Sequence, residues 1–363
     1  MIRIAQPQLG DEEKEAVKEV LDSGILAQGP RVHAFEEAFA RTTGAAHAVA
    51  TNSGTAALHI ALLAAGIQPG DEVITTPFTM VASANAILFC QAKPVFVDIE
   101  METYNLDADR VEAALTPKTK AILPVHLYGH PCDLRALTRI AESHGLKMIE
   151  DACQAHGAMY QGKSIGQGEN PACFSFYPTK NIFAAEGGLI TTNDESSAQM
   201  MRMLRDHGAK EKYRHEVLGY NYRMTDLSAA IALAQLKKLA HVTTRRIENA
   251  QKLSAGLRGL KGIILPKTQE GCQHVFHQYC LRVTAEAKLG REALQTHLAD
   301  RGIQTAVHYP LPVHHQPLYR RLGYTGAYPL AETASQEVLS LPVHPGVSDE
   351  DIQQIVNAMR EAL

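Results

Sequence analysis

The chain has 363 residues, more than the roughly 250–300 at which a single hydrophobic core stops growing, so we expect two domains. A formal net charge of −4 without a basic stripe argues against nucleic-acid binding. There is no apolar run near the ~18 residues of a membrane span, no signal-peptide pattern and no CxxC among six scattered cysteines, which indicates a cytoplasmic protein.

The first two thirds of the chain alternate helical and strand patterns. Helices are predicted over residues 11–22, 31–43, 53–66, 79–90, 107–115 and 133–144. Strands are predicted over residues 72–76, 94–98, 121–126 and 148–151, each an apolar run bounded by turn residues. The alternation predicts an α/β fold whose mostly parallel sheet lies between helices. Ligands of such sheets bind beyond the carboxyl ends of the strands.

The last third of the chain has a different pattern. A long helix over residues 225–258 is predicted to carry the chain out of the large domain. A strand over 275–283 and helices over 289–301 and 349–362 follow, and we interpret residues 308–346, rich in Pro, His and Tyr, as an ordered loop region. We therefore expect a large domain over residues 1–250 and a smaller C-terminal α+β domain over 251–363.

One lysine follows an apolar strand and a turn, in residues 173–181 (CFSFYPTKN), and a second apolar run lies downstream over 189–192. Lys180 is therefore placed between two predicted strands, where loss of solvation lowers the pKa of an amine from about 10.4 toward neutrality. A neutral amine can attack a carbonyl and form an imine. Taken alone, the same lysine also fits a surface β-turn.

An acid ends another short apolar strand, in residues 147–152 (KMIEDA), so Asp151 lies where an open α/β sheet presents residues to a ligand. A carboxylate at this position can keep the nitrogen of a pyridine ring protonated, and the ring then accepts electrons. The alternative role of Asp151 is a helix N-cap, since Ala152 can begin a helix.

Small residues mark a predicted helix start in residues 52–58 (NSGTAAL). Backbone N–H groups and the helix dipole favour an anion there, and Ser53 or Thr55 can add a hydroxyl. A plain Ser/Thr cap on a buried helix explains the same residues, and Ser175 offers a second hydroxyl. Jointly, the three segments supply an amine, a partner for a pyridine nitrogen and a phosphate site, which pyridoxal phosphate requires.

Eight segments, taken in their order and spacing, resemble the DegT/StrS-type sugar-nucleotide aminotransferases, which depend on pyridoxal phosphate. They are residues 25–30 (ILAQGP), 52–58, 70–76 (GDEVITT), 149–157 (IEDACQAHG), 174–181 (FSFYPTKN), 186–188 (EGG), 219–226 (GYNYRMTD) and 305–310 (TAVHYP). The resemblance implies the aspartate aminotransferase (type I) fold. Its large, cofactor-binding domain has a mostly parallel seven-stranded sheet between helices, and a smaller α+β domain follows.

The resemblance also implies a role for each matching residue at the cofactor. Lys180 would hold pyridoxal phosphate as a Schiff base and shuttle the proton, Asp151 would partner the pyridine nitrogen, and Gln154 would lie against the ring. The residues expected to hold the phosphate are Gly54, Thr55 and Ser175. One position departs from the family pattern, because the residue expected to stack on the ring is Met80, although Phe78 can take that place if the register shifts.

On the substrate side, Asn221 resembles a residue that reaches the phosphate of the neighbouring subunit, which implies a homodimer with composite active sites. Arg223, His308 and Tyr309 match positions that line the sugar-nucleotide side. The implied reaction moves an amino group from L-glutamate to a 3-keto or 4-keto sugar of a nucleotide sugar, in amino-sugar, surface-polysaccharide or glycoside biosynthesis. A keto-cyclitol aminotransferase and a non-catalytic cofactor-binding regulator are the alternatives. Lys180 argues against the related sugar dehydratases, which carry a histidine there.

Two further patterns are weighed against this interpretation. Residues 157–164 (GAMYQGKS) match the phosphate-loop motif of nucleotide hydrolases, but the preceding strand ends too early and residues 165–171 cannot begin a helix, which indicates a β-turn. The histidines of the Pro-rich region lack helical spacing and an accompanying cysteine or paired acid, so no metal site is predicted there. They are His308, His314, His315 and His344.

Overall fold

The structure is a computed structural model that describes residues 1–363. Its α-helices are α1 (Asp11–Ser23), α2 (Pro30–Thr43), α3 (Gly54–Ala64), α4 (Val81–Phe89), α5 (Leu134–His144), α6 (Glu195–Arg205), α7 (Asp226–Leu257), α8 (Arg291–Asp300), α9 (Pro317–Arg321), α10 (Pro329–Glu337) and α11 (Asp349–Ala362). Four 3-10 helices lie at Ala108–Arg110, Glu112–Ala114, Leu127–Gly129 and Val313–His315.

Sixteen strands complete the fold, several of them only two residues long. They are β1 (His47–Thr51), β2 (Glu72–Thr75), β3 (Lys93–Phe96), β4 (Thr119–Ile122), β5 (Lys147–Met148), β6 (Glu150–Asp151), β7 (Met159–Tyr160), β8 (Lys163–Ser164), β9 (Ala172–Ser175), β10 (Gly188–Thr192), β11 (Ala209–Glu211), β12 (Arg214–His215), β13 (Ile263–Ile264), β14 (Cys272–Gln273), β15 (Tyr279–Val283) and β16 (Val338–Leu341). None of the helices combines the length and the apolar character that crossing a bilayer demands.

Two four-stranded sheets form the centre of the large body, in the orders β3-β2-β4-β5 and β1-β10-β9-β6. All pairs of the first sheet are parallel, as is the β6–β9 pair, whereas β10 runs antiparallel to both of its neighbours. Only Ile149 separates β5 from β6, and its N–H donates to the carbonyl of Ile122 across 3.0 Å. The predicted α/β class is confirmed.

Glycines end the first two helices where the sequence predicts. Gly24 (φ 71°) and Gly44 (φ 82°) both adopt the left-handed conformation that a residue without Cβ reaches at little cost. The acidic first turn of α1, with Asp11, Glu12 and Glu13, suits the positive end of its dipole.

Two predictions about local structure were wrong. Residues 107–115 form two 3-10 helices, not one α-helix. The region 308–346 contains α9, α10 and β16 in addition to loops. Pro317 and Pro329 lie in the first turns of α9 and α10. The N–H groups of a first turn form no intrahelical hydrogen bond, so a proline costs nothing there. The prolines that indicated a loop therefore begin helices.

The motif at residues 157–164 folds as a hairpin. Strands β7 and β8 are antiparallel, with Tyr160 opposite Lys163, and the two residues between them, Gln161 (φ 49°) and Gly162 (φ 77°), both have positive φ. Such a two-residue turn matches the twist of a β-hairpin, and no helix follows it. The β-turn interpretation is therefore confirmed, and no phosphate loop exists there.

Helix α7 is 32 residues long and joins the two ends of the molecule. At its first turn, the buried carboxylate of Asp226 accepts hydrogen bonds from the N–H groups of Gly29, Arg31 and Val32 at 2.9 to 3.1 Å, and so caps α2. Toward its other end, Arg246 donates to the carbonyls of Phe276 and His277. An apolar cluster beyond this point takes its buried residues from position 250 onward and from Ile2.

Candidate active site

A cavity of about 370 Å³ opens at the carboxyl end of β6. Its wall includes the end of β6, the segment after β9, the starts of α3 and α4, and the segment that follows α8. Its lining residues include Gly54, Thr55, Met80, Asp151, Gln154, Ser175, Lys180, His308 and Tyr309. Nine of the eleven residues predicted from the sequence therefore line one cavity. The cavity lies at the carboxyl end of a strand, where an open α/β sheet binds its ligands.

Lys180 lines this cavity and lies at the end of a turn. The turn is closed by a hydrogen bond of 2.9 Å from the backbone N–H of Lys180 to the carbonyl of Tyr177. The strand before the turn, β9, is apolar and central, so it holds the turn rigidly below the cavity. Burial lowers the pKa of the Lys180 amine, and the negative charge of Asp151 opposes that shift. The amine is therefore partly desolvated and close to an acid, which excludes the surface β-turn.

Asp151 ends β6 and is almost fully buried. Its Oδ2 accepts a hydrogen bond from the Ser83 hydroxyl at 2.7 Å, and its Oδ1 accepts one from the backbone N–H of Cys153 at 3.1 Å. No helix begins after it, so the N-cap alternative is wrong. The two hydrogen bonds fix the orientation of the carboxylate toward the cavity.

The start of α3 forms the end of the cavity that suits an anion. Ser53 caps the helix by accepting the N–H of Ala56 at 3.1 Å, which leaves Gly54 and Thr55 on the cavity wall. A Cβ at Gly54 would lie 2.7 Å from the Cβ of Ser175 and 2.9 Å from the sulfur of Cys153. Only glycine permits this approach, and the free N–H groups of the first helical turn remain available to a phosphate.

Gln154 connects the cavity floor to the C-terminal part of the chain. Its Oε1 accepts from the N–H of Tyr128 at 2.7 Å, and its Nε2 donates to the hydroxyl of Tyr309 at 3.1 Å. Tyr128 in turn donates its hydroxyl to the carbonyl of His308, whose ring meets the Ser340 hydroxyl at 3.2 Å. Two of the three substrate-side residues predicted from the sequence, His308 and Tyr309, are therefore connected to Gln154 by hydrogen bonds.

Met80 lines the cavity, together with its neighbours Thr79 and Ala82, and is 51% exposed. Phe78 is fully buried and packs edge-on against Tyr309 at 6.3 Å between ring centres, so it does not take the stacking position. The structure thus places a thioether, not an aromatic ring, at this face of the cavity. A thioether packs favourably on aromatic rings.

Asn221 and Arg223 lie outside the cavity of their own chain. Asn221 forms an isolated antiparallel bridge with Asp206, and the guanidinium of Arg223 donates to the Asp206 carboxylate. The single chain therefore leaves the site without the two residues that the resemblance assigned to a neighbouring subunit and to the sugar-nucleotide side.

Ser83 and His277 are among the cavity residues that were not predicted from the sequence. Ser83 lies in the first turn of α4, 68 positions from Asp151, and no local pattern connects them. His277 lines the cavity, and burial, followed by the charge of Lys180, lowers its pKa well below the usual range, so its ring is neutral. A histidine next to strand β15 gives no signal of this position in the sequence.

A desolvated amine and an oriented carboxylate that share one cavity with an anion-binding helix start define the site of a pyridoxal-phosphate-dependent enzyme. The amine can bind the aldehyde of pyridoxal phosphate, and the carboxylate can bind its ring nitrogen. The helix start can bind its phosphate. The close packing at Gly54 supports the fit, since a side chain there would collide with Ser175 and Cys153 on the cavity wall.

The chain belongs to the DegT/DnrJ/EryC1/StrS aminotransferase family, whose model matches residues 7–360. It is therefore a pyridoxal-phosphate-dependent aminotransferase, and the predictions of family, cofactor and enzyme class are confirmed.

Three similar proteins have informative names. The chain is 45% identical to a "Pleiotropic regulatory protein" of Geobacillus stearothermophilus, over 98% of this chain and 95% of that protein. It is 42% identical to the dTDP-3-amino-3,4,6-trideoxy-alpha-D-glucose transaminase of Streptomyces venezuelae, over 99% and 94%. The crystal structure of DesV of S. venezuelae, in complex with a ketimine intermediate, matches with a TM-score of 0.93 and 42% identity, over 97% and 94%. The last match confirms the type I fold.

Proposed function

We propose that this protein transfers an amino group from L-glutamate to the ketone of a nucleotide-linked sugar, in amino-sugar, polysaccharide or glycoside biosynthesis. The observation that carries the proposal is the single cavity that Lys180, Asp151, Gly54 and Thr55 share with His308. Its two ends differ in character, since a helix start suits a phosphate at one and hydrogen-bonding rings suit a sugar at the other. The S. venezuelae relative, named for a 3-amino sugar, favours a 3-keto substrate over a 4-keto sugar or a keto cyclitol.

In the proposed mechanism the bound cofactor supplies the aldehyde that accepts the amino group and the ring that stores the electrons of the broken C–H bond. Asp151 holds a proton on the ring nitrogen, because its negative charge is fixed there by Ser83 and Cys153. Lys180 holds the cofactor between turnovers. The lowered pKa would let its free amine take a proton from the α-carbon of the amino donor and deliver it to the carbon that carried the aldehyde oxygen of the cofactor.

The remaining residues bind and orient in this proposal. Gly54, Thr55 and Ser175 hold the phosphate, Met80 packs on the ring, and Gln154 fixes its position beside Tyr309. His308 and Tyr309 contact the sugar.

We propose a homodimer, in which Asn221 of one subunit completes the phosphate site of its partner and Arg223 meets the nucleotide sugar. Both residues lie off their own cavity, as that arrangement requires.

The division of the chain is proposed in the same way. Counting β5 and β6 as one strand interrupted at Ile149 gives a seven-stranded order β3-β2-β4-β5/β6-β9-β10-β1. We propose this as the sheet of a large cofactor-binding domain over residues 1–250. Residues 251–363 would form the small domain, whose apolar cluster supports a separate core.

The half-reactions test the proposed function. L-Glutamate alone should convert the cofactor to its amine form and release one 2-oxoglutarate per site. After removal of the glutamate, a nucleotide-linked 3-keto sugar should restore the original absorbance. If only a 4-keto sugar or a keto cyclitol restored the absorbance, that compound would replace the 3-keto sugar as the assigned substrate.

The alternative of a non-catalytic regulator has in its favour the name of the G. stearothermophilus relative, whereas the aminotransferase family of the chain stands against it. A regulator would bind the cofactor and give no spectral change with glutamate. The same experiment therefore separates the two candidates.

Replacing Ser83 by alanine should lower kcat/KM about tenfold, because Asp151 loses a charge-assisted hydrogen bond worth roughly 1.5–3 kcal/mol, part of which water can replace. Steady-state kinetics and the pH dependence of the bound-cofactor spectrum measure the effect. Ser143→Ala is a matched control, since its hydroxyl donates across the same 2.7 Å, but to a carbonyl on the exposed face of α5. Equal activities of the two variants would show that Ser83 does not position Asp151.

A further inference from the structure

Three potential metal ligands from two separate elements converge near α10. The Nε2 of His314 lies 3.1 Å from Oε1 of Glu332, and the Nε2 of His315 lies 3.6 Å from the same oxygen. One ligand atom from each of the three residues lies within 4.8 Å of the other two. The histidines come from a 3-10 helix and the acid from the first turn of α10, so the paired acid that the sequence lacked is supplied by the fold.

The separations suit a small divalent cation. Zinc binds imidazole nitrogen and carboxylate oxygen at about 2.0–2.2 Å, and tetrahedral ligands at that radius lie roughly 3.3–3.5 Å apart. The two measured His–Glu separations, 3.1 and 3.6 Å, fall on either side of this spacing. Two imidazoles and one carboxylate also form a donor set that zinc uses in sites with a water in the fourth position.

Much of the cluster is held in place without a cation. The His314 side chain is fully buried, and its ring packs edge-on against Tyr328 at 4.7 Å. The N–H of Tyr328 also donates to Oε1 of Glu332 at 3.1 Å, and Asp98 caps α10 through the N–H groups of Leu330 and Ala331. A ligand set fixed by its neighbours loses little conformational entropy on binding.

Access and charge set the expected strength of binding. His315 and Glu332 retain 28% and 31% side-chain exposure, so a cation and its water can reach the cluster from solvent. The positive charge of Arg320 lies near His314 and weakens the binding of a cation.

We propose that His314, His315 and Glu332 bind one divalent transition-metal ion, with Zn²⁺ the best match, and that a water completes its coordination. The ion would tie the segment 313–315 to α10. That segment continues directly from His308 and Tyr309, so an occupied site would stiffen one wall of the cofactor cavity from outside it. The site is separate from the proposed transamination chemistry.

Metal binding to the untagged holoenzyme tests the proposal. After treatment with a chelator and its removal, calorimetric titration with Zn²⁺ should show one ion per subunit, and Co²⁺ should give the visible absorption of a tetrahedral site. Zn²⁺ should also raise the Tm of the wild-type protein. His315→Ala is the informative variant because its ring is partly exposed, so the fold should survive, and the Zn²⁺ affinity should fall at least about tenfold.

His33→Ala is the matched control. His33 forms a His–Glu pair with Glu37 at the same 3.1 Å, on an exposed helix face. Because no third ligand is at hand, its removal should leave both the stoichiometry and the affinity unchanged. Failure of the wild-type protein to bind one equivalent of Zn²⁺, or equal binding by wild type and His315→Ala, would overturn the proposal.

Discussion

Lys180→Ala protein should fold, bind pyridoxal phosphate only weakly and lose turnover by on the order of 10⁴-fold or more, the upper range for removal of a general acid–base group. The change removes both the amine that joins the aldehyde and the group proposed to carry the proton. The absorbance of the covalently attached cofactor should disappear together with the activity. Reduction of the wild-type protein with borohydride, followed by peptide mass spectrometry, should find the cofactor fixed on the peptide that contains Lys180.

Lys163→Ala is the control for this experiment. Lys163 lies exposed in the β7–β8 hairpin, within the motif that mimics a phosphate loop. Its removal should change neither the cofactor spectrum nor the rate. Retained turnover in the Lys180→Ala protein would refute the proposed chemistry at its centre.

Asp151→Asn should retain the cofactor and lose about 10²–10³-fold in kcat, the range observed when a preorganised electrostatic partner is removed. The amide has the shape of the carboxylate, and it can keep a contact with Ser83 and with the N–H of Cys153. What it lacks is the negative charge that keeps a proton on the ring nitrogen. The absorbance of the bound cofactor should therefore shift with pH in a range where the wild-type spectrum is constant.

Glu150→Gln provides the comparison for this variant. Glu150 is the preceding residue of β6, equally buried, but its side chain points away and meets His126 at 3.1 Å. Its replacement can lower the Tm, yet kcat should stay within a few-fold of the wild-type value. A similar loss of rate in both variants would mean that disturbance of β6, and not the charge of Asp151, explains the effect.

The sequence was most informative where one residue type determines the local structure. Gly24 and Gly44 end helices α1 and α2 within one residue of the predicted bounds. The apolar strands before Asp151 and Lys180 place both side chains at the same end of the sheet. Prolines misled, because Pro329 starts a helix as readily as it interrupts one.

Contacts between distant segments could not be predicted from the sequence. Ser83 reaches Asp151 only through the packing of α4 on the sheet, and Glu332 meets His314 only because α10 folds back beside the preceding loop. Asn221 was identified by resemblance alone, since its single-chain surroundings give no reason to assign it to a phosphate.

Helix α7 has a mechanical consequence. Its 32 residues span about 48 Å without a break, from the cap on α2 at Asp226 to the last turns against the C-terminal core. A connection that consists of one continuous helix contains no hinge. Opening and closing of the cavity around a bulky sugar nucleotide must therefore arise from bending of α7 or from movement of the loops at the cavity entrance.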